Sequence, residues 1–247
     1  MKKNKRVRFI AVSILLMTTG QAVAGWFGAD FSAEIYEGTG ANLHQFGSMV
    51  VSNGRVRTAI NRDNRTMVEI IDPKRGKAWL LDPATRKYME RDVPLDSGQS
   101  SQQESPCNAL PREVSCQHLG TEAVNGRNSD KWQLQDNSRM QLLWLDTEHH
   151  FPVRVVNDGQ LAMEMRFLGQ DTYASRRVEK WQSRMSGPQG NVSMTQWYDP
   201  QLNIAIRQVG GDGQVRELRE IHIGSQPENL FAVPADYQRQ LPQPANN

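Results

Sequence analysis

Apolar side chains recur at every second position through most of this chain, and no stretch of ten or more residues carries the 3.6-residue repeat of an amphipathic helix. A period of two sends alternate side chains to opposite faces of a strand. Phe31–Tyr36, Phe46–Val51, Val56–Ile60, Thr66–Ile71, Lys77–Leu81 and Lys87–Arg91 read as successive strands. The connections agree. Ser52-Asn53-Gly54-Arg55 holds an Asn-Gly hairpin signal. In Asp72-Pro73-Lys74-Arg75-Gly76 the proline presets φ and the glycine supplies positive φ. This is an antiparallel meander, and the fold class is mainly β with few short helices.

The pattern resumes after residue 116 and then repeats itself. Asp130-Lys131-Trp132-Gln133 is echoed by Glu179-Lys180-Trp181-Gln182, and Trp144-Leu145-Asp146 by Trp197-Tyr198-Asp199. Pro152-Val153-Arg154 has a looser echo in Ile204-Ala205-Ile206-Arg207. A unit of roughly 50 residues, three or four strands, occurs twice, which suggests hairpins stacked in one continuous sheet. Between the halves, Asp96 to Pro106 is rich in Ser, Gln and Gly and reads as a flexible loop. The expected organisation is one β-rich domain over residues 25–237, followed by a frayed polar tail from Gln238 to Asn247.

The first residues set the compartment. Lys2, Lys3, Lys5, Arg6 and Arg8 precede an apolar run from Phe9 to Met17, and Ala22-Val23-Ala24 ends it. That order is a secretory signal with cleavage after Ala24. The run falls short of the about 20 residues a spanning helix needs, so the mature chain is not expected to span the membrane. Residue 25 is Gly rather than Cys, which argues against a lipidated N-terminus. The expected location is the periplasm. The signal removes five of the 29 basic residues and none of the 27 acidic ones, leaving 24 − 27 = −3. With no clustered basic run left, a nucleic-acid partner is not expected.

The two cysteines, Cys107 and Cys116, fit an oxidising compartment and read as a local disulfide, not a metal or redox pair. Closing so short a loop stabilises a fold by about 2.5–3 kcal/mol in the chain-entropy account.

The strongest apolar alternation is Leu161, Met163, Met165 and Phe167, with Glu164 and Arg166 on the opposite face. Met140, Leu142 and Trp144 form a similar stripe, and Met194 lies in the corresponding strand of the second copy. Methionine adapts to irregular apolar shapes. Met140, Leu142, Trp144, Met163, Met165 and Phe167 are therefore the candidate lining for a hydrophobic ligand, and an ordinary filled core is the competing reading. Hydrolytic motifs are absent: there is no G-x-S-x-G, H-E-x-x-H or glycine-rich phosphate loop, so no catalytic residues and no cofactor are expected. Asp146-Thr147-Glu148-His149-His150 sets carboxylates beside imidazoles. A metal needs three or four donors converging on one point, and neighbours in a strand point apart, so a hairpin loop is the simpler account.

Several segments, in order, resemble one known family. They are Phe31–Tyr36, the hairpin Gly47–Arg57, Ile70-Ile71-Asp72 with Ala78-Trp79-Leu80-Leu81-Asp82-Pro83, and the closing Asn229-Leu230-Phe231-Ala232-Val233-Pro234-Ala235-Asp236-Tyr237. Together they resemble the superfamily of the outer-membrane lipoprotein carrier and its periplasmic relatives, in a secreted branch. The resemblance implies a curved, incomplete antiparallel β-barrel that holds acyl chains and carries no catalytic residues. This sequence departs from the pattern before the first strand, where only Gly25 to Asp30 stand in place of a helix, and no lid helix is evident. The expected function is a non-enzymatic binder of a lipid or other hydrophobic ligand. The rivals are a protein-interaction module that meets an envelope partner through sheet edges, and a metal-dependent enzyme around His149 and His150.

Overall fold

The computed structural model describes residues 27–93, 105–111, 113–187 and 190–241. The expected signal with its expected cleavage site, residues 96–104 of the expected loop, and residues 242–247 lie outside the described residues. Sixteen strands form one sheet: β1 (Phe31–Thr39), β2 (Asn42–Ser52), β3 (Arg55–Arg62), β4 (Arg65–Asp72), β5 (Lys77–Asp82), β6 (Lys87–Asp92), β7 (Ser115–Val124), β8 (Arg127–Gln135), β9 (Met140–Asp146), β10 (Pro152–Asn157), β11 (Gln160–Tyr173), β12 (Arg176–Gly187), β13 (Gly190–Asp199), β14 (Ile204–Gly210), β15 (Gln214–Ile223) and β16 (Gln238–Arg239). Among the described residues the only helical elements are two short 3₁₀ turns, Pro106–Ala109 and Glu228–Phe231.

The order across the sheet is β16-β6-β5-β4-β3-β2-β1-β15-β14-β13-β12-β11-β10-β9-β8-β7. The chain starts mid-sheet, runs out to β6, crosses to the far edge at β7, and zips back until β15 pairs with β1. Chain length forces this sheet to curve. Laid flat, fourteen spacings would separate β6 from β7, about 67 Å. The fifteen residue steps from Asp92 to Cys107 reach at most about 54 Å. The Cys107–Cys116 disulfide then adds only its 5.5 Å Cα separation before β7. The sheet is curved and antiparallel apart from β16, and it does not close into a barrel.

Bulges supply part of the bend. The register slips on β7 between His118 and Gly120, on β11 between Phe167 and Gly169, and on β15 between Arg219 and His222. These three recur every fourth strand, further slips fall on β2, β10, β11 and β14, and each extra residue locally raises the twist. Gly120 and Gly169 sit at φ +111° and +126°, a region that side chains disfavour. At the Asn53-Gly54 turn both residues have positive φ, 52° and 77°, as a type I′ hairpin requires.

The tail differs from expectation. From β15 the chain crosses back and packs Leu230, Phe231 and Tyr237 against Val50, Val68, Ile70 and Leu81. Arg55 holds this segment through Glu228 at 2.6 Å and lies 4.5 Å from the Phe231 ring centroid. Gln238 and Arg239 then pair in parallel with β6, with Gln238 N–H donating to Arg86 O at 2.9 Å and Gln240 N–H to Tyr88 O at 2.7 Å. A polar segment can cap a sheet edge because the ladder uses backbone groups, so Gln238 to Gln240 are not frayed.

Candidate functional site

The expected ligand-lining residues do not share a face. Cross-strand partners point the same way. Leu143, Val155, Met163 and Met185 form one row across β9 to β12, with Met165 and Phe167 further along β11 on the same side. Lys131, Trp144, Arg154 and Glu164 form the adjacent row, which points to the other side. Met140 and Leu142 have the parity of Trp144 and go with it. The register therefore puts Met163, Met165 and Phe167 on one side of the sheet and Met140, Leu142 and Trp144 on the other, although Trp144 and Leu142 still pack within the same apolar cluster as the two methionines.

The methionine face is closed. Met163 is 5% exposed, Met165 1% and Trp181 0%, and they pack with Leu143, Val153, Val155 and Tyr198. Phe167 meets Trp181 at 5.1 Å between centroids. A chamber wide enough for an acyl chain would leave its lining accessible to water, and Met163, Met165 and Trp181 are not; Phe167 is half-buried. Elsewhere, between β1, β2, β14 and β15, the core leaves about 10 Å³, room for about one water. On the other face Trp144 is also buried, beneath long cationic stems. Lys131 Nζ and Arg154 Cζ lie 4.9 and 5.7 Å from its ring centroid, and its indole N–H donates to Glu122.

The same construction recurs one unit later. Lys180 and Arg207 flank Trp197 at 4.8 and 5.5 Å, and its N–H donates to Asp171 at 2.9 Å. Arg154 pairs with Glu164 as Arg207 pairs with Glu217. Arg127 opens β8 and binds Asp146 at the end of β9, as Arg176 opens β12 and binds Asp199 at the end of β13. Each aspartate also accepts two backbone N–H groups of the corner that follows: Glu148 and His149 in one case, Gln201 and Leu202 in the other. Burial pushes the Asp146 carboxyl up, and the Arg127 guanidinium with these N–H groups outweighs it, so its pKa lies below the ordinary value.

The corner after β9 holds the polar cluster that the sequence half disclosed. His149 turns inward, its Nε2 2.9 Å from Glu179 Oε2, while His150 is exposed. Glu179 is 4% exposed and accepts from Trp181 Nε1 at 3.0 Å and Gln170 Nε2 at 3.4 Å. The His149 ring stacks on Phe151 and tilts against Tyr198. Glu179 was not among the expected site residues. It lies 30 positions from His149, and only the echoed Asp130/Glu179 position marked it.

The remaining surface feature is an edge. Among the described residues β7 pairs on one side alone, with β8, and most of its side chains are exposed. Its bulge turns Leu119 outward, 42% exposed. The 3₁₀ turn Pro106–Ala109, tied by the disulfide, fixes where the edge begins. No described helix is long and apolar enough to cross a membrane.

No family model and no curated protein matches the sequence. Among solved structures the chain is similar to a LolA superfamily protein from Nitrosomonas europaea, with TM-score 0.41 and 11% identity over 83% of this chain and 90% of that one. An outer membrane lipoprotein-sorting protein domain from Vibrio parahaemolyticus aligns with TM-score 0.27 and 15% identity over 84% and 90%. A chain of the Pseudomonas aeruginosa MucA/MucB complex aligns with TM-score 0.23 and 12% identity over 82% and 90%. The first two carry the superfamily names to which the sequence motifs pointed. At these TM-scores the likenesses carry no argument about function.

Proposed function

We propose that the chain is a periplasmic, non-enzymatic interaction module that receives an extended segment of an envelope protein along the open edge of β7. The observation that carries this reading is the closure of the methionine face, with Met163 at 5% and Met165 at 1% exposed. Apolar side chains that already satisfy one another offer nothing to a lipid. An edge strand, by contrast, offers a row of backbone donors and acceptors that an added strand completes. The opposite edge carries β16 across part of β6. The hydrophobic-ligand reading keeps one observation in its favour. The row Val155, Met163, Met185, Val192 runs outward to a valine that is 57% exposed.

A photo-crosslinking side chain placed at Thr121 in cells tests the proposal. The expected result is one discrete protein adduct that disappears when Leu119→Lys is added. Adducts that form from Val192 but not from Thr121, and that extract as lipid, would overturn it.

A further inference from the structure

Three carboxylates, one guanidinium and one imidazole meet where the β9–β10 corner packs on β12. Asp146 fixes the corner by accepting the N–H groups of Glu148 at 3.0 Å and His149 at 2.8 Å. That aims His149 at Glu179 and leaves Glu148 beside them. One donor atom each from Glu148, His149 and Glu179 lies within 4.8 Å of the others. Arg127 is the cation of the group, bound to Asp146 at 2.9 Å and to Glu148 at 2.7 Å. With a neutral imidazole the cluster carries two net negative charges, and two of its three carboxylates are almost wholly buried.

The second copy shows that the fold does not need this chemistry. The matching corner carries Gln201 and Leu202, held by Asp199 through the same two N–H bonds. Leu202 is fully buried and packs in an apolar cluster with Phe31, Ile35 and Val178. An uncharged Gln-Leu corner therefore serves the same architecture. The Glu-His pair is the departure from that corner, and with the buried Glu179 opposite it leaves an excess of negative charge that a divalent cation would cancel.

We propose that Glu148, His149 and Glu179 bind one divalent transition-metal ion of the zinc class, with water in the remaining position. One imidazole nitrogen and two carboxylate oxygens suit zinc, whereas calcium and magnesium take oxygen donors alone. Bonds of about 2.0–2.2 Å in tetrahedral geometry need donors about 3.3 Å apart. His149 and Glu179 are near that spacing, and Glu148, on an exposed corner, closes onto them. The bound ion would pin the first copy to the second. This site is independent of the β7 edge.

The test uses chelator-stripped, tag-free mature protein titrated with Zn²⁺ by calorimetry at pH 7.5, and with Co²⁺ by visible absorption. One equivalent should bind, and the melting temperature should rise with metal concentration. The Glu148→Gln/His149→Leu variant, which installs the corner residues of the second copy, should fold and bind at least about a hundredfold more weakly. Glu148→Gln alone, a surface change, should weaken binding about tenfold. His150→Ala should bind as the parent does. Absence of saturable binding, unchanged affinity in the double variant, or loss of binding in His150→Ala would each overturn the proposal.

Discussion

The two copies, β7–β10 and β11–β14, share a framework and differ in what covers it. Trp132 and Trp181 occupy matching places beneath matching rings, His118 at 4.6 Å and Phe167 at 5.1 Å. Trp181 is fully buried, and its N–H reaches Glu179. Trp132 is half-buried, and its N–H finds no acceptor among the described residues. The carboxylate at the Glu179 place in the first copy is Asp130, one methylene shorter, and it is held instead by Thr121 at 2.6 Å and His118 at 3.3 Å. Position in the sheet explains the contrast. The second copy has strands on both sides, while the first ends the sheet. The turn, ion-pair and indole contacts that define the unit survive at the edge; the dense packing does not.

The largest expected effect separates the two tryptophans. Trp181→Ala should cost about 3–5 kcal/mol in denaturant unfolding, as a cavity opens in a closed core. Trp132→Ala should cost about 1–2 kcal/mol. Equal losses would break the distinction between edge and interior.

Arg127→Met and Arg176→Met should each cost about 3 kcal/mol, because each leaves a buried aspartate unpaired. Here equality is the expected result. The sign with pH follows from Asp146, whose folded pKa lies below its unfolded one. Its contribution is complete above the unfolded value of about 3.9 and is lost as pH falls through the folded value. Urea unfolding from pH 7 to 2 should therefore show a shallower acid loss in Arg127→Met than in the parent. A parallel curve would remove the ion pair from the account. In the first half of the sheet Arg65, with Thr85, holds the Asp82 carboxyl down to about 2, so by nuclear magnetic resonance that group should be among the last to protonate.

In metal-free protein, His149→Leu should cost only about 1 kcal/mol, since Glu179 keeps Trp181 and Gln170 as donors. A loss above about 3 kcal/mol would make the imidazole a structural necessity and weaken the parallel with Leu202. Smallest of all, Trp144→Phe and Trp197→Phe should cost about 0.5–1 kcal/mol each and remain equal within error, because each removes one N–H donor from the same surface ladder.

Strand positions were readable because alternation and turn chemistry are local. Asn53-Gly54 fixed one hairpin outright, and the paired Trp-Leu-Asp and Trp-Tyr-Asp segments exposed the repeat. Facing was not readable where it mattered. Residues 142–145 are apolar without a break, so the parity of β9 could not be chosen from the sequence, and the register buries Leu143 on the methionine side. A one-residue slip reverses every side chain, and the bulges at Leu119 and Leu168 introduce such slips without a polar marker. Gln141 illustrates the cost of pattern reading. It is buried although polar, because Asn157 accepts its amide at 2.8 Å. Glu179 escaped because it meets His149 only after two hairpins have folded.

Native mass spectrometry of the folded protein, purified gently and without detergent, decides whether the methionine face is closed. A closed face predicts the mass of the polypeptide with its one disulfide and no adduct that extracts into organic solvent. A discrete lipid adduct, present in the parent and lost in a Met163 variant that still folds, would show that the face opens and would contradict it.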